Sequence, residues 1–253
     1  MKWKDNLSFI LVDTREAGNI GASARALKNL GFSRLELVRP KKFPSEEAGW
    51  FAHGAEDVLS RAIVYPDLAP AVKKKSVVVG ATRRAGKKRG PIYSVREAAE
   101  SIRALAEKNR VGILFGREDR GLTNEEADEC AFMISIPAAP ENPSFNLSQA
   151  VLIVAYELSY ANFTISQPAP IITNEEFSLL FQRLRLIMKT AGYSPKGIRD
   201  DEEGVMADLK RLIARAGVTQ REARMLHGIF SQIEEAGAGS GSGAKRAKGR
   251  SLK

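Results

Sequence analysis

The chain has 253 residues, 43% apolar and 27% charged, which is enough to bury one full core and a small second one. Its one cysteine, Cys130, excludes an intramolecular disulfide framework and suits a reducing compartment, so a cytoplasmic location is expected. The formal charge of +9 and a pI near 9.7 point to a polyanionic partner such as nucleic acid, but Lys245, Arg246, Lys248, Arg250 and Lys253 in the tail supply five of those charges.

Near the start, residues 8–12 form an apolar run that is too short for a signal-peptide core and runs into Asp13, so it reads as a strand. The longest apolar stretch elsewhere, Ala150 to Tyr156, stops at Glu157, well short of the roughly 20 residues of a membrane span, and no membrane association is expected. Aliphatic and β-branched runs predict strands at Leu7–Val12, Leu35–Val38, 62–64, 76–81, Val111–Phe115 and 132–136, with helical patterns between them. Several of these runs are apolar on both faces, as in a parallel sheet covered by helices on each side, so the expected class is α/β with a Rossmann-like parallel sheet.

Ser94 with Glu97 and Thr123 with Glu126 have the spacing of capping boxes, in which a hydroxyl and a carboxylate satisfy free amides at a helix start. A last helix of the sheet domain is expected over 147–162, and the first domain spans 1–163. Residues 164–173, with Pro168 and Pro170, read as an extended linker. A small helical domain follows over 174–235, two of its helices opened by Thr173 with Glu176 and Thr219 with Glu222. The Gly, Ser and Ala-rich stretch 236–253 reads as a disordered basic tail.

Common nucleotide and hydrolase signatures are missing. The segment from Gly80 to Lys88 has one residue too many between its glycines for a phosphate-binding loop, and Lys88 stands where Ser or Thr should hold magnesium. No Gly-x-Gly-x-x-Gly turn follows a strand, and no serine-hydrolase elbow occurs. His53 and His227 are far apart and lack Cys or carboxylate company at ligand spacing, so no metal site is expected.

Three segments carry more information. The first, Asn19-Ile-Gly21-Ala-Ser-Ala-Arg25, opens a helix, with Gly21 allowing close approach of a backbone or ligand; alone, it is an ordinary glycine-rich helix start. The second, Leu114-Phe-Gly116-Arg117-Glu118-Asp-Arg-Gly121-Leu122, leaves the carboxyl end of a strand, where open α/β sheets bind ligands; alone, it is a charged surface turn. The third runs from Ile136 through Pro137, Pro140 and Pro143 to Ser144-Phe145-Asn146-Leu147-Ser148, placing hydroxyl and amide groups around a helix amino terminus.

Together the three resemble, in order, the Asn-x-Gly-x-x-x-Arg, Phe-Gly-x-Glu-x-x-Gly-Leu and Ser-x-Asn-x-Ser motifs of the SPOUT superfamily, specifically its TrmH-like RNA ribose methyltransferases. The match spans residues 7 to 162, and the helical extension looks like that of the TrmJ type, which methylates the ribose of cytidine or uridine at position 32 of tRNA. The resemblance implies a deep trefoil knot in the carboxyl half of the sheet domain, a homodimer, and S-adenosylmethionine as cofactor with tRNA as partner. It further implies a cofactor site at Ala81, Thr82, Arg83, Gly116, Ile136, Pro143, Ser144 and Phe145, the last a departure from the family's usual leucine. Arg25, Asn19, Ser144, Glu118 and Asn146 match its catalytic positions. Arg25 matches an arginine often described as a base, but a guanidinium with a pKa above about 12 is better suited to stabilising charge. RNA contact is expected from Arg25 and from the basic loop Arg84, Lys87, Lys88 and Arg89. The alternatives are a methyltransferase for another tRNA or rRNA ribose, and an inert RNA-binding protein on the same scaffold.

Overall fold

The computed structural model describes residues 2–83, 91–161, 169–193 and 202–240. Its strands are β1 (Leu7–Val12), β2 (Leu35–Val38), β3 (Ile63–Tyr65), β4 (Val77–Ala81), β5 (Ile92–Ser94), β6 (Val111–Phe115) and β7 (Phe132–Ser135). They form one parallel sheet in the order β3-β2-β1-β6-β4-β7-β5. The six expected strands are present within a residue or so at each end. β5 was not expected: it has only three residues, and its strand character comes from pairing with β7 rather than from its own pattern.

The helices of the sheet domain are α1 (Ala17–Asn29), α2 (Glu46–Phe51), α3 (Glu56–Ser60), α4 (Leu68–Val72), α5 (Val95–Ala106), α6 (Asn124–Asp128) and α7 (Leu147–Tyr160). Alternating strand residues divide the core. Phe9, Leu11, Ile113 and Phe115 face α1, α5 and α7, while Ile10, Val12, Leu114 and Met133 face α4 and α6. Phe9 packs edge-on to Phe32 at 5.1 Å and stacks with Phe115 at 6.2 Å, pairs that contribute about 0.5–1.5 kcal/mol each beyond burial. β6 lies between β1 and β4, and β7 between β4 and β5, so the last two strands enter the sheet between strands laid down earlier. Because every strand runs the same way, the turns after β1, β2, β4, β6 and β7 all leave at one edge.

The capping boxes at Ser94, Thr123 and Thr173 are all formed, and Thr219 with Glu222 makes the same reciprocal bonds. The extension comprises α8 (Asn174–Thr190), α9 (Glu202–Ala216) and α10 (Gln220–Ser240), around a core that includes Phe177, Leu180, Ile187 and Phe230. It is tied to the sheet domain by Ile171 N donating to Asn109 Oδ1 at 2.8 Å, and by ion pairs from Lys210 to Glu129 and Arg211 to Asp128. The first half of the expected linker lies outside the described residues, as does the tail from 241 onward; the disorder expected from 236 is not found over 236–240, which continue α10 to Ser240. Among the described residues no helix is long and apolar enough to cross a membrane.

Candidate functional site

The turn after β1 leads into α1, whose first residue follows Glu16, a position that offers no capping side chain of its own. Glu118, more than a hundred residues later, supplies the missing acceptor. Its carboxylate receives Arg15 N at 3.2 Å, Glu16 N at 3.3 Å and the Asn19 side-chain amide at 2.9 Å. Free amides and the positive end of the helix dipole make this a favourable place for a carboxylate. Gly21 lets α2 approach: a Cβ there would stand 2.0 Å from the Ala48 carbonyl oxygen. The close approach expected at Gly21 is therefore to backbone.

The turn after β6 folds back on itself. Gly121 N donates to Arg117 O at 2.8 Å, closing residues 117–121 into a short antiparallel bridge. The returning chain passes so near that a Cβ on Gly116 would lie 2.1 Å from Leu122 N. Behind this turn, Asp13 and Glu126 hold Arg39 and Arg117. Burial pushes the Asp13 carboxyl upward, but the bond from Arg39 and the charges of Arg117, Arg39 and Lys41 outweigh it, leaving the group below its ordinary value.

The turn after β7 ends at Asn146, the N-cap of α7. Its Oδ1 accepts from Ser148 N at 2.9 Å, while its amide donates to Asn19 Oδ1 at 2.9 Å. Asn146, Asn19 and Glu118 thus form one hydrogen-bonded chain that joins all three informative segments.

Beside this chain opens a cleft with an internal volume of about 110 Å³, walled by the exits of β4 and β6 and by the segment before α7. All eight residues expected at the cofactor site line it: Ala81, Thr82 and Arg83 from the β4 exit, Gly116, Ile136, and Pro143, Ser144 and Phe145 from the segment before α7. Glu118 is also in its wall. The apolar lining includes Phe115, Ile134 and Leu147, which were not anticipated. Leu147 could have been found from its place in the first turn of α7, three residues after Ser144.

Of the expected catalytic residues, Ser144 and Glu118 line the cleft, and Asn19 and Asn146 adjoin it through their mutual bonds. Arg25 does not reach it within one chain: it is exposed on α1, about 9 Å further along the helix than Asn19. Arg84, Lys87, Lys88 and Arg89 lie outside the described residues. The cleft suits S-adenosylmethionine: the apolar lining of Ile134, Ile136, Phe145 and Leu147 matches a flat adenine, and strand exits and a carboxylate offer polar partners for the rest.

Residues 6–156 match the model of the SpoU rRNA Methylase family. The chain is 35% identical to the tRNA (cytidine/uridine-2′-O-)-methyltransferase TrmJ of Pectobacterium atrosepticum, over 91% of this chain and 98% of that protein. It is 34% identical to the tRNA (cytidine/uridine/adenosine-2′-O-)-methyltransferase TrmJ of Pseudomonas aeruginosa, over 93% of this chain and 96% of that one. Among solved structures, TrmJ from Z. mobilis superposes with a TM-score of 0.75 at 33% identity, covering 90% of this chain and 98% of its own. The sheet and the helical extension are those of a SPOUT methyltransferase. The chain belongs to the SpoU rRNA methylase family, and it is an RNA methyltransferase with S-adenosylmethionine as its methyl donor.

Proposed function

We propose that this chain methylates the ribose 2′-hydroxyl of tRNA at position 32 of the anticodon loop, on cytidine, uridine or both. The observation that carries the reading is the chain Asn146–Asn19–Glu118, which unites three distant segments at the mouth of a cleft fit for the donor. The similarity to the tRNA enzymes named above supports it, because it extends through the helical extension as well as the sheet domain. Position 32 rests on the resemblance of that extension to the TrmJ type.

S-adenosylmethionine, when bound, supplies a methyl group already activated by the adjoining sulfonium, so the protein's work is positioning and electrostatics. Ala81, Thr82, Arg83, Gly116, Ile136, Pro143, Ser144 and Phe145 would hold it, with Ile136 and Phe145 excluding water from its apolar part. Asn19 and Asn146, locked to each other, orient the ribose. Glu118 already accepts three N–H donors, so its part is to fix Asn19 rather than to take a proton. Arg25 stabilises negative charge developing on the 2′ oxygen, a task open to a permanently protonated guanidinium.

Arg25 meets that oxygen from a second subunit. Leu152, Tyr156 and Tyr160 recur at helical spacing on α7, 42%, 51% and 67% exposed, and Trp50 and Phe51 are exposed on α2. Both helices pack on α1, so a homodimer closing over this apolar face would carry each Arg25 toward its partner. The basic loop at Arg84, Lys87, Lys88 and Arg89 is assigned to tRNA phosphates, and the setting is the cytoplasm.

Labelled S-adenosylmethionine incubated with the protein and bulk unmodified tRNA, followed by mapping of the labelled nucleotide, tests the reading. Label on the 2′ oxygen of nucleotide 32 is expected. Label at another ribose or on a base, or no label in tRNA, would contradict it.

A further inference from the structure

We propose that Arg117 is a positioning residue for the cofactor cleft, its guanidinium fixing the 116–121 loop that forms one wall. The inference rests on the assignment of that cleft to S-adenosylmethionine and asks what gives the wall its shape.

Four charged groups close a ring behind the loop. Arg117 donates to Glu126 Oε1 and Oε2 at 3.0 Å each and to Asp13 Oδ2; Arg39 donates to Asp13 at 3.0 and 3.2 Å and to Glu126 at 3.1 Å. The Asp13 and Glu126 side chains are only 9% and 7% exposed. Each member comes from a different element: Asp13 follows β1, Arg39 follows β2, Arg117 follows β6, and Glu126 lies in α6. Asp13 and Arg39 both adopt left-handed backbone conformations, φ +52° and +50°, which residues other than glycine rarely do. Two such conformations in one ion-pair ring mark an arrangement that its surroundings enforce.

Arg117 is the member that reaches the ligand wall. Its main chain closes the bridge to Gly121, and both residues line the cleft. Glu126 in turn completes the Thr123 capping box, so the loop is pinned at its start by Arg117 and at its end by the helix that follows. The flat fork of a guanidinium can span two carboxylates at once, which a lysine ammonium cannot reproduce. With its guanidinium bound to Asp13 and Glu126, Arg117 acts on the cleft through the main chain it fixes, and supports of this kind set how well a site is preorganised.

The test is calorimetric titration of S-adenosylmethionine into the intact protein and into Arg117→Gln and Arg117→Lys, with hydrogen exchange followed across 116–122. A control destabilises the fold elsewhere. Lys75, just before β4, and Glu36, in β2, form a second buried ion pair, 2.6 Å apart, and the double variant Lys75→Met, Glu36→Gln removes it. Both Arg117 variants should bind the donor about tenfold to a hundredfold more weakly, exchange faster in the loop, and keep the KM for tRNA within about twofold, while the control keeps its donor affinity. Should Arg117→Gln prove too unstable to titrate, Arg117→Lys carries the same expectation. Donor affinity within about twofold of the parent in a folded Arg117 variant would overturn the proposal, as would an equal loss in the control. A parent protein that binds no donor would overturn the assignment of the cleft itself, a failure visible before any variant is made.

Discussion

The Asn146 side-chain amide donates to Asn19 Oδ1 at 2.9 Å across 127 residues of chain, while its own Oδ1 caps α7 through Ser148 N. The two jobs use different atoms, so they can be separated. Asn146→Asp keeps an acceptor for the cap but loses the donor to Asn19, and a negative charge at a helix start is tolerated. The variant should unfold at nearly the parent's denaturant midpoint yet turn over about a hundredfold more slowly. Parent-like kcat would remove the Asn146–Asn19 contact from the mechanism.

Arg25→Ala should leave donor affinity unchanged and abolish methylation within the detection limit of a tRNA assay. Because Arg25 is proposed to act on the partner's site, mixing subunits gives a sharper result. A dimer of one Arg25→Ala subunit and one Asn146→Asp subunit holds one site with both native residues, so mixing the two preparations should give activity well above that of either alone. If mixing restores nothing while the subunits are shown to exchange, Arg25 does not act across the interface.

Gly21 has no room for a side chain, since a Cβ would stand 2.0 Å from the Ala48 carbonyl oxygen. The neighbour is backbone and cannot swing aside. Gly21→Val should therefore destabilise the protein by about 3 kcal/mol, the upper end for overpacking. Denaturant unfolding measures this; a loss under about 1 kcal/mol would mean that α1 and α2 separate easily.

Asp13 ionises more readily in the folded chain than its ordinary value allows, because the bond from Arg39 and the charges of Arg117, Arg39 and Lys41 outweigh its burial. A carboxylate with a depressed folded pKa contributes stability that is fully present above its unfolded value, about 3.9, and is lost as pH falls through the folded value. Glu97, Glu176 and Glu222, held down by their capping-box bonds, act in the same direction. Asp128 acts in the opposite one, since burial raises it more than Arg211 and Lys210 lower it. Thermal stability should fall steeply once the pH drops below about 4, and Asp13→Asn should be less stable at neutral pH with a shallower acid decline. An unchanged acid limb in Asp13→Asn would show that the ring contributes nothing to the acid response.

What the sequence disclosed was local chemistry: aliphatic runs for the inner strands, hydroxyl–carboxylate spacing for the caps, and glycine, proline and serine patterns for the turns after β6 and β7 that line the cleft. What it concealed depends on distant partners. Glu118 replaces a cap that α1 lacks, which no window around Glu16 could disclose. Asp13 and Arg39 carry left-handed backbones without glycine, sustained by an ion-pair ring drawn from four elements. β5 and the short helices α2 to α4 are too brief to show a period and form because tertiary neighbours complete them. Arg25 matched its motif, but its distance from the cleft could be seen only once α1 was placed.

The central claim is that the exits of β4, β6 and β7 converge on one donor site. A crystal structure of the protein soaked with S-adenosylhomocysteine tests it most directly. The product should lie in contact with Ala81 to Arg83, with Gly116, and with Pro143 to Phe145, its sulfur facing the Asn19–Asn146 pair. Density for it anywhere else, with that cleft empty, would contradict the account.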